Sequence, residues 1–358
     1  MNLQTLTKLF ATLIIGAVGG WALNHLNVPL AWMLGAMMLT AVLSARGAPL
    51  KSAPVLRAIM LCVLGVSIGS TFNPAVFDSA GEWAVSLGML AFYSIASSIA
   101  GATVLIRWAG WTPATAFFSA VPGGLTDMIL AGSERGGDER VMALLHTLRI
   151  MVTVLIIPLT LAATGSTSSV VPDVISPTWS GLSAEDLLWL AVTGIGGMAA
   201  GKMCRLPAYV FTGPMIASAA IHILGLSASR PPSDIVNAAQ VVIGVSIGCR
   251  FVGINLAEAR RTMIIGTLFG LALVGLGAAF AAVGSQLTGA SFSSLWLAFA
   301  PGGLAEMVLM GLSLGLDPAF VSTHHLFRFL LILGIARLLY SAFIRYRGGP
   351  PQPPPTDG

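Results

Sequence analysis

The residues able to do chemistry recur in two sets at matched spacing. Pro122-Gly123-Gly124 is followed by Asp127, and Pro301-Gly302-Gly303 by Glu306 at the same interval. His146-x-x-Arg149 recurs as His325-x-x-Arg328, with His324 directly before the second histidine. An arginine can hold a carboxylate or phosphate through two parallel hydrogen bonds. The alternative for each is an internal ion pair, Arg149 with Asp127 and Arg328 with Glu306. The two acids could bind a coupling Na⁺ or H⁺, or they could cap a half-helix N-terminus, where a carboxylate meets orphan N–H groups and the positive end of the dipole. The histidines could carry protons, since their ordinary pKa lies near neutrality, or could be satisfied buried polar groups. Two arginines beside half-helix N-termini suit an anion and two acids oppose one, so the substrate class stays at a small polar or anionic metabolite.

Catalytic patterns are absent from the sequence. The five histidines contain no HExxH, and the three cysteines no CxxC. The adjacent pair His324-His325 does not share a helix face, so a single metal held by both does not fit. No Gly-x-Ser-x-Gly or Walker motif is present. The expectation is a protein that is not an enzyme, with no resident cofactor or metal.

These residues lie in a strongly apolar chain. Of 358 residues 56% are hydrophobic and 9% charged, with a mean hydropathy of +0.87. An ordinary soluble protein carries about 25% charged residues. So few charges cannot cover a 37 kDa surface facing water, and the chain reads as an integral membrane protein. A soluble enzyme, a free nucleic-acid-binding domain and a disulfide scaffold are excluded. Cys62, Cys204 and Cys249 are odd in number and sit within apolar runs. The net charge of +4 reads as basic cytoplasmic loops, not as a nucleic-acid partner.

Apolar runs predict spans at Leu9–Leu26, Val28–Leu43, Val55–Phe72, Val85–Trp108 and Val141–Thr164, with a broken segment at Thr112–Ser133. After a Gly/Ser/Thr/Pro loop the order restarts with Leu187–Met203, Tyr209–Leu226, Val236–Val252, Met263–Leu287, a broken Ser291–Leu316, and Phe320–Phe343. "VLGVSIGS" at 63–70 returns as "VIGVSIGC" at 242–249, and "VPGGLTDMIL" at 121–130 as "APGGLAEMVL" at 300–309. Asp138 returns as Asp317. The chain is therefore two copies of one unit: a first membrane repeat at 1–165, an extracytoplasmic linker at 166–183, a second repeat at 184–347 and a disordered Pro-rich tail at 348–358. Duplication can simply enlarge a bundle, but duplicated membrane units are typical of secondary transporters. Gly65/Gly69, Gly197/Gly201 and Gly244/Gly248 have the four-residue spacing of close helix packing.

Loop charges decide the relative orientation of the copies. If each broken segment is a hairpin that enters and leaves on one side, each copy has five crossings and the copies are inverted. Fourteen Lys and Arg then fall on the inner side and one, Arg230, outside. If each broken segment crosses fully, the division is eight to seven. Because basic residues favour the cytoplasm, the expected fold is all-α: two inverted repeats, each of five transmembrane helices plus one broken re-entrant hairpin, with both termini cytoplasmic.

Proline removes a backbone donor, and two glycines cost about 2 kcal/mol of helix propensity relative to alanines. About ten helical residues on either side of each break cover roughly 15 Å, half a bilayer. Both breaks are thus expected at mid-depth, where unwound backbone must be buried in protein or line a cavity. Such kinks can serve packing alone. Two of them, each with an acid, form a candidate binding site.

The run from Ala298 to Met307, containing Pro301-Gly302-Gly303-Leu304 and Glu306, then Asp317–His325 and Arg328, resembles the AbrB-type bacterial inner-membrane family. "WMLGAM" at Trp32–Met37 and "FTGPM" at Phe211–Met215 resemble its second-helix signature. The first copy departs from that pattern, with Asp127 in place of Glu and Leu145 where a histidine pair would stand. The resemblance covers nearly the whole chain and implies a multi-pass protein of the bacterial inner membrane. The family's labels, ammonia monooxygenase and regulator of gene expression, do not follow from these residues: an oxygenase needs a ligand cluster, and a transcription regulator a DNA-reading domain. The function expected is alternating-access movement of a small polar or anionic metabolite. A non-transporting membrane sensor that affects expression indirectly is the second reading, and a membrane monooxygenase the last. Expected partners are that small molecule and the bilayer, with no nucleic acid, and the glycine-rich faces would suit a homodimer. With the native cysteines replaced, single cysteines at Asn2 and Ser168 should label from opposite sides of the membrane; labelling from one side refutes the inverted arrangement.

Overall fold

The computed structural model describes residues 3–74, 81, 83–165 and 181–347, so most of the expected linker (166–180) and the whole expected tail lie outside the described residues. All regular elements among the described residues are helical. The first copy contains α1 (Leu3–His25), α2 (Ala31–Ala45), α3 (Pro54–Gly69), α4 (Trp83–Ala109), α5 (Pro113–Ala120), α6 (Leu125–Ser133) and α7 (Glu139–Ala163). The second contains α8 (Ala184–Ala191), a π turn (Val192–Gly196) and α9 (Gly197–Met203), together the counterpart of α1. It continues with α10 (Tyr209–Ile223), α11 (Ser233–Gly248), α12 (Leu256–Thr288), α13 (Phe292–Phe299), α14 (Leu304–Ser313) and α15 (Pro318–Tyr346). Among the described residues six helices are long and apolar enough to cross a membrane, and four shorter ones, α2, α3, α10 and α14, are predominantly apolar. Large apolar side chains such as Phe10, Trp21, Phe92, Leu268 and Leu338 are exposed, as expected of helices whose outer faces meet lipid.

Helix starts repeat with the sequence. Thr112 and Ser291 accept from the backbone N–H of Thr115 and Ser294, and Asp138 and Asp317 cap α7 and α15 in the same way. The recurrence of Asp138 as Asp317 is thus a capping requirement. Two predicted spans differ in extent. The span predicted from Met263 begins at Leu256, because Asn255 caps it and Arg261 finds the carbonyl of Ala109 at 3.1 Å. The span Leu187–Met203 is interrupted by the π turn in its glycine-bearing stretch.

The copies interlock by exchanging equivalent faces. α2 packs on α11, and α3 on α10, so each copy's second helix meets the other's third. A Cβ on Gly65 or Gly69 would strike the carbonyls of Phe211 and Met215. A Cβ on Gly244 or Gly248 would strike the corresponding carbonyls of Met33 and Met37. Within each copy the same device joins the first two helices: Gly19 abuts Gly35, and Gly197 abuts Gly213, backbone against backbone. The contacts are thus reciprocal between the copies. The absence of a side chain lets the backbones approach, and dispersion between them supplies the attraction.

The connections into α2 and α10 carry a repeated strain. Asn27, Leu30, Arg205 and Ala208 all hold positive φ (51°, 56°, 53° and 48°). Non-glycine residues rarely adopt this region, at a cost of about 1–2 kcal/mol each. The same distortion therefore brackets Pro29 in one copy and Pro207 in the other.

Gly35→Ala and Gly213→Ala should each lower the melting temperature in detergent by the equivalent of about 1–3 kcal/mol, as overpacking does. Gly88→Ala and Gly275→Ala, where nothing lies within 4 Å of an added Cβ, should be neutral or stabilising. Equal effects at the two kinds of site would refute the close-packing role.

Candidate functional site: the two helix breaks

Each broken segment folds as two short helices whose backbone turns extended at the break. Val121 and Ala300 leave the helical region at ψ 128° and 133°, and Gly124 and Gly303 open the second helix with extended backbone. The two arms pack against each other in both copies. In the first copy the chain also returns to where it entered: the backbone N–H of Asp138, after α6, donates to Thr115 Oγ1, in the first turn of α5, at 2.9 Å.

Proline determines what happens at the break. In an uninterrupted helix the carbonyl of Phe118 would accept from the N–H of residue 122, and that of Leu297 from residue 301. Both of those residues are proline and have no N–H. The histidines supply a donor in its place, and Leu297 O also accepts a long bond from the backbone N–H of Ala300 at 3.3 Å. His146 Nε2 bonds Phe118 O at 2.9 Å, and His325 Nε2 bonds Leu297 O at 2.9 Å. A carbonyl can only accept, so Nε2 carries the hydrogen in both rings.

The arginines satisfy the next carbonyls along. Arg149 Nη1 donates to Val121 O at 3.0 Å. Arg328 Nη1 donates to Ala300 O at 2.5 Å and its Nη2 to Gly302 O at 2.9 Å. Each His–Arg pair therefore caps the carboxyl end of its own broken helix, where orphan carbonyls and the negative end of the dipole favour a cation.

The acids lie on the other side of each break. Asp127 and Glu306 stand in the first turns of α6 and α14, with their carboxylates folded back onto Gly124 and Gly303, where a Cβ would collide with them. Glu306 is buried and Asp127 exposed. Neither forms an ion pair with an arginine of the site. Among the described residues the ion pairs are those of Glu134 with Arg135 and Arg337. The internal pairing of Arg149 with Asp127 and Arg328 with Glu306 is therefore not realised. Each guanidinium reaches back to the carboxyl end of the first arm, while each acid holds to the amino end of the second.

The structure gathers Pro122, Gly123, Gly124, His146 and Arg149 at one break, and Pro301, Gly302, Gly303, Glu306, His325 and Arg328 at the other. Arg328 lies within electrostatic range of Arg149. His324 is elsewhere: its Nδ1 bonds Phe320 O, its Nε2 meets Ser86 Oγ at 2.8 Å, and its ring packs against Trp83 and Phe320. It ties α15 to α4.

Two residues that sequence reasoning did not single out belong to this region. Tyr93 is fully buried, donates to Leu273 O at 3.3 Å, stacks on Phe299 and lies within electrostatic range of both arginines. Arg250 lies within range of His146, Glu306 and Arg57. A tyrosine hydroxyl in the middle of the apolar α4 was the available signal for the first. For Arg250 the signal is a departure from the repeat, since the first copy has Thr71 at that position.

A cavity of about 620 Å³ is lined in part by Ser70, Asp186, His222, Ser229 and Arg230, and none of the break residues lines it. There the Ser229 hydroxyl, followed by Ser183, bonds Asp186 and holds its carboxyl below the ordinary range. Those bonds fix the start of α8.

If histidine replaces proline's missing donor, the two should be coupled. His325→Ala leaves Leu297 O without that bond and should cost about 1–3 kcal/mol. Adding Pro301→Ala restores a backbone N–H and should recover part of that loss in a double-mutant cycle read by thermal unfolding. Strict additivity of the two would refute the exchange.

Comparison with known proteins covers both breaks and both His–Arg pairs. Residues 32–344 match the AbrB family, described as "Transition state regulatory protein AbrB". "Uncharacterized protein YhjN" of Bacillus subtilis (strain 168) is 27% identical, over 94% of this chain and 93% of its own length. "Putative regulator AbrB" of Escherichia coli (strain K12) is 24% identical, over 86% of this chain and 88% of its own. With the family matched from the second helix to the end of the last, the chain belongs to the AbrB family.

Proposed function

We propose that the protein carries a small anionic metabolite across the bacterial inner membrane by alternating access, with the two helix breaks as its binding site. One observation carries this reading. Arg149 and Arg328, 3% and 4% exposed, approach each other in the interior with no carboxylate in ion-pair range among the described residues. A single arginine at the centre of a membrane helix costs about 3 kcal/mol on insertion scales. Bonds to carbonyl dipoles offset part of that cost and leave the formal charges standing. Two such charges attract an anion to the place where the broken backbone also offers polar groups.

The reciprocal exchange of α2 and α3 faces with α11 and α10 supports two repeats related by a twofold axis. The distribution of loop charge supports placing that axis in the membrane plane, so that the repeats are inverted with both termini cytoplasmic. Each half then contributes one re-entrant hairpin, and either half can rock against the other around a fixed site. Glu306 and Asp127 are the candidates for a coupling Na⁺ or H⁺, and a homodimer fits the exposed apolar faces.

The names of the family and of the Escherichia coli relative favour a second reading, a membrane sensor that alters gene expression. The two readings separate in proteoliposomes. A carrier should accumulate labelled phosphate, lactate or succinate in saturable fashion, and flux should fall at least tenfold in Arg328→Ala and Glu306→Gln. Binding without accumulation would favour the sensor. Flux and binding unchanged in both variants would remove the breaks as the site.

A further inference from the structure

The two His–Arg pairs are equivalent in sequence and different in their bonding. In the second copy the pair is closed. Arg328 Nη2 donates to His325 Nδ1 at 2.9 Å, so both ring nitrogens are used. In the first copy the pair is open. His146 Nδ1 and Arg149 Nε are both buried and without a hydrogen-bond partner. The residues themselves are more than nine-tenths buried, on adjacent turns of one face of α7.

We propose that the first copy's open pair is the docking point of the ligand, and that the ligand is an oxyanion bearing a hydrogen on, or beside, its anionic oxygen: a hydrogen phosphate or an α-hydroxy carboxylate. The proposal rests on the anion reading above and narrows it. The chemistry follows from the two free atoms. Arg149 Nε–H is a charged donor and calls for an anionic oxygen. His146 already donates from Nε2 to Phe118 O, so in the neutral ring Nδ1 offers a lone pair and calls for a donor. A bare carboxylate or sulfate satisfies the first atom and leaves the second buried and unpaired. A group with an O–H beside the O⁻ satisfies both.

Arg250, within electrostatic range of His146 and of Glu306, is a further cation near the pair, and its Nη1 is likewise buried and unpartnered. The second copy has no equivalent of this opening: both nitrogens of His325 are bonded, and the two terminal nitrogens of Arg328 hold Ala300 O, Gly302 O and the histidine. In the state described here the open pair is sealed, so the ligand reaches it when the two copies separate beside Tyr93.

The test uses probe pairs that differ in the hydrogen. Purified full-length protein in detergent is melted at constant ionic strength and pH 7 with phosphate or sulfate, and with glycolate or acetate. A ligand raises the melting temperature in proportion to ln(1 + [L]/Kd). Sites built to bond a hydroxyl reject analogues lacking it by large factors, so phosphate or glycolate should half-saturate the shift at concentrations at least tenfold below those of its partner. Arg149→Gln and His146→Phe, where they melt cooperatively, should lose the shift. The probe comparison on the unaltered protein stands even if they do not fold. Sulfate and acetate acting as well as phosphate and glycolate would overturn the hydrogen requirement while leaving an anion site in place. A shift retained in both folded variants would overturn the location. No shift with any of the four probes would overturn the proposal, and the flux assay would then decide the anion reading separately.

Discussion

A proline in a buried helix leaves one carbonyl without its donor, and in an apolar interior that carbonyl must be satisfied from elsewhere. Here the histidine of the following long helix supplies the hydrogen, at 2.9 Å in both copies. The arginine one turn further satisfies the next carbonyl. The requirement fixes a good deal. It sets the position of α7 against α5 and of α15 against α13. It places a guanidinium in the interior. It also fixes the backbone of Val121 to Gly124 and of Ala300 to Gly303 at the point where the arms meet.

The duplication multiplies this solution and then departs from it. The His–Arg pairs contact carbonyls at one sequence separation in both halves, 28 residues. The glycine contacts between halves are reciprocal residue for residue. Yet Arg328 closes onto His325 while Arg149 leaves His146 open, and Arg250 occurs in one half against Thr71 in the other. Tyr93 donates to Leu273 and so ties α4 of one half to α12 of the other. What the fold needs is present twice; what a ligand would read is present once.

Much of this was legible in the amino-acid order. Long apolar runs gave the spanning helices, the matched octapeptides gave the duplication, and Pro-Gly-Gly gave both breaks, because these signals are local and periodic. Roles at the break were not legible. His146 and Arg149 suggested a proton carrier and an ion pair, since from sequence the nearest complementary groups were Asp127 and Glu306. Their actual partners are backbone carbonyls, which every residue has and no residue type announces. Arg250 follows an apolar run and reads in sequence as one of the fourteen inner loop charges, whereas a short 3₁₀ turn, Cys249–Phe251, carries it to within electrostatic range of Glu306. His324 shares a motif with His325, but adjacent positions on a helix face different neighbours, and it serves the contact with Ser86.

The exchange of a histidine for a missing amide proton also has a mechanical consequence. Pulling an arm away from its long helix would break two or three hydrogen bonds in apolar surroundings at once, with no water to replace them. Each arm pair and the helix that caps it therefore behave as one stiff block. The surfaces between α2 and α11, and between α3 and α10, are different in kind: they are glycine against backbone, held by dispersion, with few directional bonds to break. Rigid blocks joined by smooth bearings can slide, so the compliance of this molecule resides in its glycine seams and its resistance in its prolines.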